Sequence, residues 1–231
     1  MKRDVGIVGA GYVGIPLAEA FAEAGKSVVL VDVDETRVER LNRGESYIED
    51  VSSEKLAELV STGYITATTD YDALREVDAI LLALPTPLSR QREPDLRILV
   101  SAAENLATRL RPGQLVVLES TTYPGTTREQ VQPVLERGSG LTAGKDFHLA
   151  FSPERVDPGR DDWTTRNVPK VVGGIDAAST TSHTSIPIRS QSWASSLTRA
   201  MLTERKMFSS SFVSSATSGV DTSTTLSQTM P

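Results

Sequence analysis

The chain has 231 residues, a net charge of −6 and a hydrophobic share of 39%, which suits one domain, or one domain and part of another. The negative charge and the lack of a basic stripe argue against nucleic acid as a partner. No apolar run approaches the roughly 18 residues of a membrane span, so we expect a cytoplasmic protein. The absence of Cys excludes disulfides, thiolate zinc sites and a sulfur nucleophile within these residues, and we expect no metal site.

Up to about residue 175, short apolar runs alternate with amphipathic segments. The apolar runs are typical of parallel strands buried between helix layers, and they lie at residues 5–8, 27–31, 79–83, 115–118, 148–151 and 170–172. The amphipathic segments predict helices at residues 16–24, 35–43, 54–61, 96–110 and 128–137. Thr126 and Glu129 match a capping box at the start of the last helix. The alternation predicts a doubly wound α/β fold, with a mostly parallel Rossmann-type sheet and helices on both faces.

The composition changes after residue 176. From residue 177 onward, nearly half of the residues are Ser or Thr, and such a composition has too little apolar surface to offset the conformational entropy of ordering. We therefore predict a Rossmann domain over residues 1–176 and a low-order Ser/Thr-rich tail over residues 177–231. Two origins of the tail stay open: a genuine disordered segment, or a reading-frame slip near residues 179–182.

The segment GAGYVG places Gly9, Gly11 and Gly14 in G-x-G-x-x-G order. It follows a predicted strand, opens a predicted helix and precedes Asp32 at the end of the next strand, which is the context of a dinucleotide-binding turn. Gly9 permits the tight turn, Gly11 permits approach to a pyrophosphate and Gly14 permits close packing of helix and strand. The Asp32 carboxylate can accept hydrogen bonds from both ribose hydroxyls and repels a 2′-phosphate, which favours NAD over NADP. Arg37 leaves that preference open, because it could serve a 2′-phosphate or cover the adenine.

Three other loops follow strands, and ligands of a doubly wound sheet bind at that edge. ALPTPL carries Thr86, ESTTYPGTTRE carries Thr121, and SPERVDPG holds Glu154 between two prolines. The two threonines could donate hydroxyls to a ribose or a water, or could only satisfy turn backbone. Glu154 could be a positioned base, or a surface carboxylate that pairs with Arg155 or Arg160.

These segments together resemble the nucleotide-sugar 6-dehydrogenases. The likeness covers roughly residues 3–175 in order, through GAGYVGIPLA, VDVD, PTPL, EPDL, LVVLESTTYPGTT and FSPERVDPG. It is greatest for the branch that oxidises UDP-N-acetylglucosamine or its manno isomer. The resemblance implies an NAD-dependent, four-electron oxidation of a sugar CH2OH to a carboxylate with two NAD, in a family that usually feeds surface polysaccharide.

The resemblance also assigns the site residues. It implies cofactor contacts for Gly9, Gly11, Tyr12, Val13, Gly14, Asp32, Arg37, Pro85, Thr86, Thr121 and Glu154. It makes Glu154 and Thr121 the candidate catalytic residues, since a carboxylate beside the reacting carbon can activate the hydrolytic water that Thr121 helps to hold.

The chain departs from the family after residue 176. The family continues into a central helix, which carries a catalytic Lys and Asn and builds the dimer, and into a substrate domain with a nucleophilic Cys. No segment here matches these parts, and the 231 residues contain no Cys, so we expect NAD binding with little turnover, weak or lost UDP-sugar binding and no dimer helix. Two alternatives remain: a non-catalytic NAD-binding module, and a Rossmann dehydrogenase of another substrate class.

Overall fold

The computed structural model of the chain describes residues 3–87, 94–154 and 171–184. The described residues form one seven-stranded sheet with the order β3-β2-β1-β4-β5-β6-β7. Its strands are β1 Val5–Val8, β2 Val28–Val31, β3 Ile65–Thr68, β4 Ala79–Leu82, β5 Leu115–Glu119, β6 His148–Ser152 and β7 Gly173–Gly174. All neighbouring pairs are parallel except β6 with β7. The chain order reverses direction between β1 and β4, and the crevice of a doubly wound sheet opens at such a point.

Helices cover both faces of the sheet. They are α1 Gly14–Glu23, α2 Glu35–Asn42, α3 Ser53–Ser61, α4 Arg97–Ala107, α5 Gln132–Ser139 and α6 Ala177–Thr184, with a 3-10 helix over Tyr71–Glu76 and a π-helical turn over Thr127–Val131. Strand residues alternate between two cores: Ala79 and Leu81 of β4 belong to one cluster, and Ile80 and Leu82 to the other. Because both faces of the sheet are covered, β1, β2 and β4 are continuous apolar runs without polar alternation.

The doubly wound, mostly parallel fold is confirmed, and five of the six predicted strands occur within one residue of their predicted bounds. The sequence missed β3, since ITAT alternates threonine with apolar residues; Ile65 and Ala67 are buried, while Thr66 and Thr68 are half-buried. The strand predicted at residues 170–172 is wrong for its two described residues. Residues 171 and 172 are irregular, and the last strand is formed by Gly173–Gly174.

The predicted capping box at the start of the fifth helix is also wrong. Thr126 already has helical dihedral angles, and its side chain makes no capping hydrogen bond. Its hydroxyl donates instead to the Tyr123 carbonyl at 2.8 Å. The Glu129 carboxylate lies beside Gly125, where the backbone turns with a φ of 96°, so the helix begins through a glycine turn and not through reciprocal side-chain caps.

Helix α6 occupies the first eight residues of the predicted tail. Ser179 is buried, and its Oγ accepts a hydrogen bond from the Leu149 N–H of β6 at 3.2 Å. Asp176 accepts from the Ser179 N–H at 2.8 Å, so the helix start is capped and the helix lies against the sheet edge. The boundary at residue 176 stays a prediction, and residues 185–231 of the predicted tail lie outside the described residues.

Within the described ranges, no helix is both long enough and apolar enough to cross a membrane.

Gln114 directly precedes β5 and bonds to the segment before β4. This position is at the amino-terminal ends of the strands, opposite the ends that carry the predicted site. Gln114 is fully buried, its Nε2 donates to the Leu74 and Val77 carbonyls at 2.9 and 2.8 Å, and its Oε1 accepts from the Arg111 N–H at 2.8 Å. Replacing it by Ala removes three hydrogen bonds and takes this donor from the buried Leu74 carbonyl, while the Val77 carbonyl keeps a bond from Arg111 Nη2 at 2.8 Å. A buried group without a partner costs about 1–3 kcal/mol.

We expect Gln114→Ala to lower the free energy of unfolding by about 3 kcal/mol in urea titrations. The matched control is Gln132→Ala, because Gln132 is half-buried and bonds to Glu136 one helical turn away; we expect a change within about 0.5 kcal/mol. Equal unfolding midpoints for the two variants would contradict this account of the sheet edge.

Candidate functional site

The turn between β1 and α1 has no room for side chains at two of its glycines. Gly9 has a φ of 103°, and a Cβ there would lie 2.3 Å from the Ala83 carbonyl oxygen. A Cβ on Gly14 would lie 1.9 Å from the Gly9 carbonyl oxygen. The turn also bonds to the neighbouring strand, since the Gly9 N–H donates to the Val31 carbonyl at 2.8 Å. The chain's own packing therefore explains both glycines.

Gly11 differs from the other two glycines of the motif. A Cβ added there would meet no atom within 4 Å, so the fold alone does not require glycine. The next residue, Tyr12, is 62% exposed, and Val13 is half-buried against the core. Helix α1 starts without a side-chain cap and without an acidic residue in its first turn. Open space beside uncapped N–H groups suits an anionic ligand such as a pyrophosphate.

Asp32 joins the end of β2 to this turn. It is 9% exposed; its Oδ2 accepts from the Ala10 N–H at 2.7 Å and its Oδ1 from the Asp34 N–H at 3.0 Å. These two bonds fix the carboxylate plane and leave further lone pairs on each oxygen. The carboxylate is thus oriented to accept hydrogen bonds from a ligand's hydroxyls.

Arg37 lies in the first turn of α2 and pairs with carboxylates. Its Nη1 is 3.8 Å from Asp32 Oδ2, and its Nε is 3.4 Å from Asp34 Oδ2. The guanidinium also lies 5.8 Å from the centre of the Tyr47 ring. Asp34 caps α2 by accepting from the Thr36 and Arg37 N–H groups. Arg37 is therefore held beside Asp32, and its charge is partly compensated there.

A cavity of about 530 Å³ opens beside Gly9 and Asp32. Two large apolar side chains of its lining are exposed, Val33 at 81% and Ile98 at 47%. Sequence reasoning missed both residues, although an apolar side chain directly after the β2 acid was a usable signal. Exposed apolar groups beside an oriented carboxylate suit a flat heterocycle attached to a ribose.

The cavity wall also contains ionisable groups that the sequence did not single out. Burial, followed by the nearby Asp32 charge, raises the pKa of Tyr71 above its usual value. The Arg97 side chain donates to Asp95 and lowers the pKa of Asp95 to about 2. Tyr71 is therefore neutral and Asp95 ionised at neutral pH.

The loops after β4 and β5 meet through a threonine. The Thr86 hydroxyl donates to the Thr121 carbonyl at 2.6 Å, and the neighbouring Ser120 hydroxyl donates to the Leu84 carbonyl at 2.9 Å. Pro85 and Thr121 are exposed. Thr86 thus satisfies backbone, as one of the two interpretations held, and its oxygen can still accept a hydrogen bond from a ligand.

Glu154 follows β6 by two residues and is half-buried. Because β6 lies beside β5 in parallel register, Glu154 and Thr121 emerge at the same edge of the sheet. Arg155 and Arg160, the alternative partners of Glu154, lie outside the described residues.

In the described part of the chain, the buried hydroxyls of Ser152 and Thr122 have no hydrogen-bond partner, and neither was singled out from the sequence. Both oxygens are shielded from solvent, so a ligand would reach them only after neighbouring side chains moved.

The described residues hold no group of three or more His, Cys, Asp or Glu side chains that could bind a metal ion.

Comparison with known proteins shows the family. Residues 3–187 match the family model described as the NAD binding domain of the UDP-glucose/GDP-mannose dehydrogenase family. Protein CapL of Staphylococcus aureus is 39% identical over 174 residues, which are 75% of this chain and 40% of that protein. UDP-N-acetyl-D-glucosamine 6-dehydrogenase of Salmonella typhi is 36% identical over 173 residues, again 75% of this chain and 40% of that protein.

Solved structures agree with the sequence comparison. The crystal structure of NDP-N-acetyl-D-galactosaminuronic acid dehydrogenase from Methanosarcina mazei superposes with a TM-score of 0.74 at 35% identity, covering 90% of this chain and 47% of the other. The UDP-N-acetyl-mannosamine dehydrogenase of Staphylococcus aureus superposes with a TM-score of 0.73 at 27% identity, covering 89% of this chain and 51% of the other. The chain thus spans about 40% of the length of the curated relatives that it matches.

The glycines predict two different responses to the same substitution. We expect Gly14→Ala to lower the melting temperature by more than about 5 °C, because its Cβ clashes with backbone. We expect Gly11→Ala to leave the melting temperature unchanged within about 2 °C and to weaken NAD binding by about tenfold or more, because its Cβ fills the space that a pyrophosphate would take.

Thermal unfolding and calorimetric titration with NAD measure both effects. Ala20→Gly, in the middle of α1, is the control for the binding measurement, because it perturbs the helix that follows the turn without adding an atom to the turn; its affinity for NAD should equal that of the unmodified chain. If Gly11→Ala bound NAD as tightly as the unmodified chain, the assignment of that space to a ligand would be wrong.

Proposed function

Because the chain belongs to the UDP-glucose/GDP-mannose dehydrogenase family, we propose that it is the cofactor half of a nucleotide-sugar 6-dehydrogenase. The reaction is the NAD-dependent oxidation of the 6-CH2OH of a UDP-N-acetylhexosamine to a carboxylate. One observation supports it above the others: Asp32, bonded to Ala10 at 2.7 Å, adjoins both the glycine turn and the cavity. The substrate class follows from the relatives, which include enzymes named for UDP-N-acetyl-D-glucosamine and UDP-N-acetyl-D-mannosamine.

The residues present fit NAD. The open space at Gly11 and the N-terminus of α1 would receive the pyrophosphate, with Tyr12 and Val13 beside it. Asp32 would accept hydrogen bonds from the adenosine ribose, while Val33 and Ile98 would pack against the adenine. A 2′-phosphate would meet the Asp32 charge at close range, and Arg37 already pairs with Asp32 and Asp34. This arrangement favours NAD over NADP.

The nicotinamide end would lie over the loops that follow β4, β5 and β6. Bound NAD supplies a hydride acceptor, and the chain's own residues would position it. The Thr86 contact with the Thr121 carbonyl joins two of these loops, with Pro85 between Thr86 and the end of β4. Glu154, half-buried at the third loop, would take a proton from the water that completes the oxidation, and Thr121 would help to orient that water. General base catalysis of this kind is typically worth about 10²–10⁴ in rate.

Completion of the reaction requires groups that these 231 residues do not provide. The chain contains no Cys and spans about 40% of the matched relatives. A covalent route through a thiolate therefore needs a residue from outside this sequence. We propose that the chain on its own binds NAD and does not sustain turnover.

A non-catalytic NAD-binding module is the second candidate. The absence of Cys favours it, since a module that only binds the cofactor needs no nucleophile. The position of Glu154 and Thr121 at one edge of the sheet favours the dehydrogenase, because neither residue is needed to bind the adenosine half of NAD.

Cofactor preference tests the role of Asp32. We expect the unmodified chain to bind NAD about tenfold or more tightly than NADP, because the carboxylate repels the 2′-phosphate. Asp32→Asn keeps an acceptor for the Ala10 N–H and removes the charge, so the ratio of the two dissociation constants should fall about fivefold or more.

Glu54→Gln removes one negative charge from an exposed position in the first turn of α3 and serves as the control. For this variant, the ratio of the NADP dissociation constant to the NAD dissociation constant should equal that of the unmodified chain. A ratio that Asp32→Asn leaves unchanged would show that Asp32 does not select the cofactor.

A turnover assay tests whether the chain alone binds NAD without completing the reaction. We expect calorimetric heat and thermal stabilisation on adding NAD. We expect no steady production of NADH from UDP-N-acetylglucosamine, UDP-N-acetylmannosamine or UDP-glucose, because the chain lacks the nucleophile of the covalent route. The near-ultraviolet absorbance of reduced nicotinamide, which the oxidised form lacks, measures the product. Sustained NADH formation by the chain alone would disprove the proposal that it needs groups from elsewhere.

A further inference from the structure

The two peptide units on either side of Ala10 are each held by one hydrogen bond. Ala10 is fully buried, and its N–H donates to Asp32 at 2.7 Å. Its carbonyl accepts a hydrogen bond of 2.6 Å from the hydroxyl of Tyr47. The second of these bonds crosses 37 residues of sequence, from a loop that the dinucleotide motif does not include.

Tyr47 is placed for this bond by the packing around its ring. It lies between α2 and α3, is half-buried and packs against the core. The guanidinium groups of Arg40 and Arg37 lie 5.1 and 5.8 Å from the ring centre. Burial, together with the nearby Asp32 charge, raises the pKa of Tyr47 to about 12, so its hydroxyl keeps the proton that it donates to Ala10.

The planarity of the peptide bond carries the effect of Tyr47 to the next residue. In a trans peptide the C=O and the following N–H point in opposite directions. A carbonyl of Ala10 directed toward Tyr47 therefore turns the Gly11 N–H to the other side of the peptide. Within the described residues the Gly11 N–H has no acceptor, and the space around Gly11 is open.

We propose that Tyr47 is a positioning residue for the cofactor's pyrophosphate: its hydrogen bond to the Ala10 carbonyl aims the Gly11 N–H at a phosphate oxygen. The inference rests on the proposed binding of NAD and concerns the pyrophosphate alone. The adenosine half would contact Asp32 and the cavity lining, which does not include Tyr47.

A ligand series separates this role from a general effect on the fold. Tyr47→Phe keeps the ring and removes the hydroxyl, so we expect the dissociation constant of ADP-ribose to rise about fivefold, the typical worth of one neutral hydrogen bond. The dissociation constant of adenosine, which carries no phosphate, should stay within about twofold. Tyr64→Phe removes a hydroxyl from a partly exposed tyrosine outside the cavity lining and should change neither value.

If Tyr47→Phe weakened the binding of adenosine and ADP-ribose equally, or weakened the binding of neither, the inference would be overturned. If the unmodified chain bound neither NAD nor ADP-ribose, the proposed function would fail first, so the two failures are distinguishable.

Amide hydrogen exchange on the unmodified chain tests the same geometry without a substitution. We expect the Ala10 N–H to exchange slowly and the Gly11 N–H to exchange quickly in the free chain. ADP-ribose should slow the exchange at Gly11, and adenosine should leave it unchanged. A Gly11 N–H that is already protected in the free chain, or that adenosine protects equally, would contradict the proposed orientation even if Tyr47→Phe did not fold.

Discussion

The site depends on the hydrogen bond of 2.7 Å that links the Ala10 N–H to Asp32 Oδ2. This bond joins the turn after β1 to the end of β2, two central strands whose register already places Val8 opposite Val31. It fixes the backbone that would face a pyrophosphate and the carboxylate that would face a ribose at the same time. The spacing between the two halves of the cofactor site is therefore set by a buried contact within the chain.

The three motif glycines show how fold and ligand share the requirement for glycine. Backbone atoms exclude a side chain at Gly9 and Gly14, because they would lie 2.3 and 1.9 Å from an added Cβ, so these two glycines belong to the fold. A Cβ added at Gly11 would meet no atom within 4 Å, so we attribute the glycine at this position to the ligand that the turn would bind. A dinucleotide-binding turn thus combines positions that the protein needs for folding with one that it needs for function.

The sequence was most informative where backbone constraints are local. The motif and its flanking apolar runs were sufficient to predict β1, α1, β2 and Asp32, because glycines and β-branched residues act within a few positions. β3 was missed because its threonines face partly outward at the sheet edge. Tyr47 and Ile98 were missed since their positions depend on contacts between segments distant in sequence, whereas Val33, directly after Asp32, could have been recognised locally. Helix α6 was missed for the same reason as Tyr47, since its buried Ser179 bonds to Leu149 of β6, 30 residues away in sequence.

The central claim is that the crevice at the carboxyl ends of β1 and β2 binds NAD. Amide chemical shifts of the ¹⁵N-labelled chain, recorded while NAD is added, test this most directly. The account predicts that the largest changes fall on the turn from Gly9 to Gly14 and around Asp32, while Gly113 and Gln114 at the opposite edge of the sheet stay unchanged. Changes concentrated at that opposite edge, or none at saturating NAD, would contradict it.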